Sequence, residues 1–323
     1  MTAQTSAQTA PVLSLVVPMF NESGNVDGLF ARLTDVMADL GVTYEIVCVD
    51  DGSRDDTVAR VVDHHRRDPR IKVVELSRNF GKELALTAGL QHTTGQAVIM
   101  LDADLQHPPE LVKDMLDKWR EGYEMVIAVR RGRDGESAFK RNAADAFYNL
   151  FARVSDVKLP RGAGDFRLLD RKVVEVLNAM PEHTRFMKGL YAWVGFKQIA
   201  IPYDVAPRAA GETKFNAFRL WRLAIDGITS FTSVPLKVWT FMGMLVAAFA
   251  LLYGLFFIIK TIVLGIDVPG YPSLIVAIMF FSGVQLISLG VIGEYLGRVF
   301  SEVKRRPLYV VRTAVGFDEQ EKS

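Results

Sequence analysis

The chain of 323 residues carries a formal net charge of +1, and half of its residues are hydrophobic. This length allows a large buried core, and the near-neutral charge gives no domain-wide basic excess, so a nucleic-acid partner is not expected. The apolar share is higher than a soluble enzyme needs, which predicts that part of the chain meets lipid. The single cysteine, Cys48, excludes an internal disulfide, and its setting in YEIVCVDD fits a buried strand better than a nucleophile.

The N-terminal part of the sequence alternates between short apolar runs and helical patterns. Residues 1–11 have neither a basic start nor an apolar run, so we expect a disordered tail rather than a signal peptide. Residues 12–214 predict an α/β domain with a largely parallel sheet covered by helices. The predicted strands are 12–18, 44–49, 71–76, 97–101 and 125–129, and the predicted helices between them are 26–40, 56–67, 82–91 and 109–121.

Polar residues follow each of the first four predicted strands, in the motifs MFNE, DDGS, SRNFGK and DADLQ. In open α/β sheets ligands bind beyond the carboxyl ends of the strands, so these motifs predict one shared site. No G-x-G-x-x-G or Walker sequence follows any strand. This argues against a dinucleotide-dependent dehydrogenase and against a P-loop NTPase.

The DAD motif at residues 102–104 predicts a metal site. Carboxylate oxygens suit Mg²⁺ or Mn²⁺, and an ion that also binds diphosphate oxygens needs only one or two carboxylates from the protein. The alternative is that Asp104 or His107 caps the helix that begins at the following Pro-Pro pair. Asp50-Asp51 and Asn21-Glu22 end two other strands, which favours the metal and diphosphate site.

Two long apolar runs lie near the C-terminus. Residues 238–259 and 273–293 contain 22 and 21 residues without a charge, and at ~1.5 Å per residue each is long enough to cross a bilayer. We therefore predict two transmembrane helices within residues 237–296, the alternative being a buried helical hairpin of a soluble domain. Basic residues flank both runs on the outside, which predicts that the α/β domain and a C-terminal tail, residues 297–323, lie in the cytoplasm.

The segment before the first apolar run has mixed character. In residues 215–236 aromatic and aliphatic side chains recur at helical spacing with arginines between them. This pattern predicts amphipathic helices in the headgroup plane. An ordinary amphipathic helix packed on the soluble domain is the alternative.

Seven motifs in order carry a resemblance that extends from residue 13 to residue 308: VVPMFNE, VDDGSRDDT, SRNFGKELALTAGL, LDADLQHPPE, GDFRL, RFMKGL and GETK. They resemble family 2 glycosyltransferases, specifically the polyisoprenyl-phosphate glycosyltransferases, which include bactoprenol glucosyltransferases and dolichol-phosphate mannose synthases. The resemblance implies a GT-A fold, a nucleotide-sugar donor, Mg²⁺ or Mn²⁺ as cofactor, a lipid phosphate acceptor and inversion at the anomeric carbon.

The resemblance also implies roles for individual residues. The nucleotide-sugar-binding set comprises Pro18, Phe20, Glu22, Asp50, Asp51, Lys82, Ala103, Arg208 and Lys214. The metal-binding set comprises Asp102, Asp104 and Gln106. The catalytic set comprises Asp165, Arg130 and Arg141, where Asp165 is the catalytic carboxylate and the arginines hold phosphates. The sequence VRRGR leaves open whether Arg130, Arg131 or Arg133 faces the site.

The expected reaction is transfer of glucose from UDP-glucose to a polyisoprenyl phosphate at the cytoplasmic face of a bacterial inner membrane. UDP-N-acetylglucosamine, another UDP-sugar and GDP-mannose are alternative donors. A downstream flippase and a second glycosyltransferase are the implied partners, and a homo-oligomer stays open. A processive polysaccharide synthase would carry Q-x-x-R-W and a nucleotidyltransferase a G-x-G-x-R loop, and the sequence has neither. A non-catalytic membrane scaffold is the remote alternative.

Overall fold

The structure is a computed structural model that describes residues 11–131, 163–183, 185–204, 234–264 and 270–317. Its strands are β1 (Leu13–Met19), β2 (Tyr44–Asp50), β3 (Ile71–Leu76), β4 (Ala97–Met100), β5 (Met125–Arg130), β6 (Ala163–Asp170), β7 (Gln198–Tyr203) and β8 (Val311–Val315). Its helices are α1 (Val26–Leu40), α2 (Thr57–Arg67), α3 (Lys82–Gln91), α4 (Leu111–Arg120), α5 (Arg171–Ala179), α6 (Met187–Trp193), α7 (Val234–Leu264) and α8 (Tyr271–Val303).

The strands form one mixed sheet in the order β7-β5-β6-β4-β1-β2-β3-β8. β4, β1, β2 and β3 are parallel neighbours, and β7 pairs in parallel with β5. β6 is antiparallel to both β4 and β5, and β8 is antiparallel to β3. Six strands therefore run in one direction, and their carboxyl ends share one edge of the sheet.

Helices cover both faces of the sheet because successive strand residues point to opposite faces. On β1, Leu13, Leu15 and Val17 pack into the cluster that includes α1 and α4. Val16, between them, packs against α3 and α5 on the other face. Burial on both faces explains why the parallel strands are continuous apolar runs in the sequence.

The five strands and four helices that the sequence predicts within residues 12–130 are confirmed, with bounds that agree to within two residues. The largely parallel sheet is also confirmed, but the antiparallel strands β6 and β8 were not predicted. The predicted interfacial residues 215–233 lie outside the described residues, and residues 234–236 begin α7.

Two long helices, α7 of 31 residues and α8 of 33 residues, contain the two apolar runs. By length and composition, one described segment, Ala277–Val303, is able to cross a membrane. Its apolar side chains are exposed, as Met279 at 70% and Leu286 at 69% illustrate. A helix of a soluble core would bury these side chains, so this segment does not fit the alternative of a buried hairpin.

The chain returns to the sheet after α8. β8 pairs with β3, Arg312 forms an ion pair with Glu75 at 2.8 Å, and the Tyr309 hydroxyl donates to Gln91. Part of the segment expected as a cytoplasmic tail is therefore a strand that covers the β3 edge of the sheet.

Candidate active site

A cavity of about 260 Å³ lies at the carboxyl ends of the parallel strands. The turn after β1 supplies Phe20 and Glu22, and the turn after β4 supplies the DAD motif. The full lining is Pro18, Met19, Phe20, Glu22, Asp51, Asn79, Gly81, Lys82, Ala85, Asp102, Ala103 and Asp104. Four strand-end motifs, distant in sequence, thus meet at one site, as the sequence predicts.

Two turns at this site contain non-glycine residues in the left-handed region. Asn21 has φ 55° and Leu105 has φ 56°. Asn21 is held there because its amide donates to Ser53 Oγ and its side-chain oxygen accepts from the Arg54 amide. Such backbone strain persists only where neighbouring contacts fix it, and it is frequent at functional sites.

Lys82, the first residue of α3, joins two carboxylates. Its Nζ lies 2.5 Å from Asp102 Oδ1 and 2.9 Å from Asp165 Oδ2. Asp165 reaches the cavity region because β6 is antiparallel to β4 with Arg167 opposite Met100, so that the first residues of β6 extend past the carboxyl end of β4. The ion pairs connect the DAD motif to the carboxylate that the resemblance marks as catalytic.

Burial and charge shift the pKa values around Lys82 in opposite directions. Burial favours neutral Lys82, but the charges of Asp102 and Asp165 outweigh it and raise the pKa of Lys82. Burial likewise acts to raise the pKa of Asp165, but the charges of Lys82 and Lys188 lower it to about 2. For Glu83, burial and then the charge of Asp165 raise the pKa to about 7. Asp165 is therefore ionised at neutral pH, and Glu83 is partly protonated.

The cavity wall concentrates negative charge. Burial raises the pKa of Glu22, against a hydrogen bond from Asn25 that lowers it, and the charges of Asp104 and Asp102 raise it further. Within the described residues no group of three or more His, Cys, Asp or Glu residues is arranged to hold a metal ion. The two DAD carboxylates still fit a hard divalent cation, because diphosphate oxygens complete the coordination of such an ion.

The capping alternative for the DAD region does not fit the structure. α4 begins at Leu111 with Glu110 as its N-cap, so Asp104 and His107 lie before the helix start. Instead, Asp104 Oδ1 accepts a hydrogen bond from the Gln106 amide at 3.2 Å, which closes a tight turn after the strand.

Asp50 of the predicted nucleotide-sugar-binding set and Gln106 of the predicted metal-binding set do not line the cavity. Asp50 is 2% exposed, and its Oδ2 accepts from the Ser53 amide at 2.8 Å. Asp51 lines the cavity, but the amides of Phe80 and Gly81 donate to its two oxygens, so it fixes the turn before α3. Gln106 is also buried and outside the lining.

The remaining predicted residues are basic. Arg130 is exposed at the end of β5, as is the neighbouring Arg131, which lies 3.6 Å from Asp204. The other basic residues of the predicted sets, and one arginine of VRRGR, lie outside the described residues: Arg133, Arg141, Arg208 and Lys214.

The structure adds three residues that the sequence analysis did not place at the site: Glu83, His107 and Lys188. His107 is 5% exposed, and its Nδ1 lies 3.9 Å from Asp102 Oδ2. Burial lowers the pKa of His107, so its ring is neutral at physiological pH. All three residues lie inside quoted motifs, but only the folded chain shows which side chains approach the carboxylates.

Comparison with known families shows to which family the chain belongs. Residues 14–177 match the model of glycosyl transferase family 2, so the chain belongs to that family. The mixed sheet with helices on both faces is a GT-A-like α/β fold. Residues 234–299, which contain α7 and most of α8, match the GtrB C-terminal hairpin.

Relatives match the chain over almost its whole length. An uncharacterized glycosyltransferase of Synechocystis sp. is 55% identical over 306 residues, covering 95% of this chain and 96% of its own. A prophage bactoprenol glucosyl transferase homolog of Escherichia coli is 44% identical over 300 residues, covering 93% of this chain and 98% of its own. The bactoprenol glucosyl transferase of Shigella phage SfII is 45% identical over 300 residues, covering 93% and 97%.

Proposed function

We propose that the protein transfers glucose from UDP-glucose to a polyprenyl phosphate, such as undecaprenyl phosphate, at the cytoplasmic face of a bacterial inner membrane. The observation that carries the proposal is the cavity in which Asp102, Asp104 and Lys82 meet at the strand ends of a family 2 glycosyltransferase. The bactoprenol glucosyl transferases that match 93% of the chain support the lipid acceptor.

In this reaction an oxygen of the lipid phosphate attacks the anomeric carbon of the donor. The bond from that carbon to the diphosphate oxygen breaks, its electron pair leaves with the diphosphate, and the configuration inverts. Asp102 and Asp104 are the residues that would hold Mg²⁺ or Mn²⁺ against the diphosphate, and such an ion stabilises the negative charge of a departing diphosphate. Exposed Phe20 provides an aromatic face for the base.

Asp165 orients groups at the site rather than acting as a strong base. A pKa of about 2 makes its carboxylate a weak proton acceptor. The acceptor needs little help, because a phosphate monoester with a second pKa of about 6 is already largely ionised at neutral pH. Asp165 instead fixes Lys82, which in turn fixes Asp102 on the donor side of the cavity.

The basic residues of the predicted sets supply charge for the phosphates. Arginine forks match phosphate oxygens, which supports donor and acceptor contacts for Arg130, Arg141, Arg208 and Lys214. α7 and α8 would both span the membrane, with both chain ends in the cytoplasm. The product would then form on the cytoplasmic leaflet, where a separate flippase and a second transferase would use it.

A donor panel tests the proposal. Purified full-length protein in detergent is given undecaprenyl phosphate with labelled UDP-glucose, UDP-N-acetylglucosamine or GDP-mannose, each with Mn²⁺ or with excess EDTA. We expect glucose transfer that EDTA abolishes. Faster transfer of another sugar would show that its nucleotide sugar is the preferred donor. Full turnover in EDTA would show that the reaction needs no metal ion. Absence of binding to every donor would favour the scaffold alternative.

A further inference from the structure

Lys188 is a cation at the active site that the ion pairs of the site do not use. It lies half-buried in the first turn of α6, next to Met187. In the described parts of the chain no carboxylate forms an ion pair with it, whereas Lys82 is shared between Asp102 and Asp165. Burial acts to raise the pKa values of Asp165 and Glu83, and the charge of Lys188 acts to lower both. Its ammonium group is therefore within Coulomb reach of both carboxylates.

A hydrogen bond fixes the position of Lys188 relative to the site. The Met187 amide donates to Glu83 Oε2 at 3.2 Å, and Glu83 directly follows Lys82 in α3. Met187 is fully buried, and its sulfur accepts from the hydroxyl of Thr87, which lies on α3 with Glu83. The start of α6 is thus attached to the helix that carries the Lys82 bridge, and Lys188 has little freedom to move away.

A second hydrogen bond connects the same region to the C-terminal hairpin. The His183 amide donates to both oxygens of Glu302, at 2.8 and 3.1 Å. Glu302 lies at the end of α8, where the segment able to cross a membrane ends. His183 lies five residues before Lys188 in the chain, so the segment that carries Lys188 contacts both the end of α8 and the helix that carries the Lys82 bridge.

We propose that Lys188 binds the phosphate of the lipid acceptor and positions it for attack on the donor sugar. The proposal rests on the function proposed above. A phosphate ester with its charge near −2 needs fixed cations at the site, and an unpaired ammonium on a fixed helix start meets that need. No carboxylate of the described residues pairs with Lys188, so its three N–H donors are available for phosphate oxygens.

Steady-state kinetics with varied undecaprenyl phosphate tests this assignment. Lys188→Met removes the charge and keeps most of the side-chain length, and Lys188→Arg keeps the charge. Lys113→Met, at an exposed lysine on α4, is the matched control for loss of one positive charge. The affinity of each variant for the donor is measured separately by calorimetry with UDP-glucose and Mn²⁺.

We expect Lys188→Met to raise the KM for the lipid phosphate by about 10- to 100-fold, the usual range for a lost hydrogen bond to a charged group. Donor affinity should stay within about 2-fold of wild type, Lys188→Arg should recover most of the loss, and Lys113→Met should have no effect. An unchanged KM for the lipid phosphate, or a loss of donor affinity as large as the rise in that KM, would overturn the role of Lys188 but not the proposed function. If wild-type protein transfers no sugar to the lipid, the proposed function itself fails. If Lys188→Met folds poorly, Lys188→Gln gives the same comparison.

Discussion

At the scale of single residues, the ion pairs of Lys82 connect the DAD motif to Asp165. Lys82 contacts a carboxylate from the donor-side DAD motif and a carboxylate from β6. The low pKa of Asp165 follows from this pairing, which opposes the effect of burial. Removing the charge of Asp165 should therefore disturb the alignment of groups in the site more than the affinity for the donor.

We expect Asp165→Asn to lower sugar transfer by ~10²-fold or more, the usual scale for a positioned acid-base group. Its affinity for UDP-glucose should remain near that of wild type, because Asp102 and Asp104 are unchanged. Calorimetry gives the donor affinity, and lipid product formation gives the rate. Asp117→Asn, at an exposed position on α4, is the control. Transfer at the wild-type rate in Asp165→Asn would refute the assignment.

Glu83 gives a pH-dependent effect on stability at the same scale. Burial, followed by the charge of Asp165, raises its pKa to about 7. Below the pKa of the unfolded chain, about 4.3, Glu83 is protonated in both states and costs nothing. As the pH rises from there to about 7, the unfolded chain ionises Glu83 while the folded protein keeps it protonated, so stability is lost relative to a neutral side chain, and above pH 7 the loss is complete.

Glu83→Gln should therefore raise the melting temperature at pH 8 by about 2–4 °C, the shift for roughly 1 kcal/mol in a protein of this size. The glutamine oxygen can still accept the Met187 amide, so the start of α6 keeps its contact. Below about pH 4 the variant and the wild type should melt together, because Glu83 is then protonated in both the folded and the unfolded state. Equal differences at the two pH values would show that Glu83 is not the titrating group.

At the scale of elements, the strand β8 protects an edge of the sheet. Its pairing with β3 satisfies backbone groups of β3 that would otherwise face water, and Tyr309, Val311 and Phe317 pack against the core beneath α3. An unprotected edge strand is a site of aggregation. The C-terminal segment therefore stabilises the catalytic domain in addition to following the hairpin.

A chain that ends after Leu308 should melt several degrees below wild type and aggregate more readily, because β3 becomes an edge strand and loses about 2–4 kcal/mol of apolar burial. A chain that ends after Phe317 keeps β8 and is the control. Melting temperature and light scattering in detergent provide the comparison. Equal stability of the two truncated chains would mean that β8 contributes little.

The sequence predicted elements where side-chain pattern and local chemistry agree. β1 to β5 are apolar runs that end in polar turns, and the structure has them at those positions. β6 was not predicted because its sequence GDFRLLD contains an arginine, which the fold buries against Tyr191. β8 was not predicted because its sequence VRTAV lies in a basic tail. The position of the DAD motif followed from the strand before it. Lys188 lies in the quoted motif RFMKGL, but only the contact of α6 with α3 shows that it is near Asp165 and Glu83.

At the scale of the whole molecule, contacts between described residues join the sheet to the C-terminal part of the chain. Glu302 near the end of α8 accepts from the His183 amide, and β8 pairs with β3. These contacts hold the end of the hairpin against the domain that contains the cavity. Such an arrangement suits an enzyme whose donor is soluble and whose acceptor stays in the bilayer.

Orientation in the membrane can be measured directly. If basic flanks set the topology, cysteines placed at residue 5 and residue 320 should react with an impermeant maleimide only after the bacterial cells are opened. Cysteines introduced in the short connection between α7 and α8 should react in intact cells. Labelling of either chain end in intact cells would contradict two spans with a cytoplasmic catalytic domain.

The central claim is sugar transfer to a lipid phosphate with inversion, and one product analysis tests it most directly. Purified protein is incubated with UDP-glucose, Mn²⁺ and undecaprenyl phosphate, and the lipid fraction is examined by mass spectrometry and by NMR of the anomeric carbon. We expect one hexose joined to the lipid phosphate with the β configuration, opposite to the α configuration of the donor. A lipid product with retained configuration, or free glucose with no glycolipid, would contradict it.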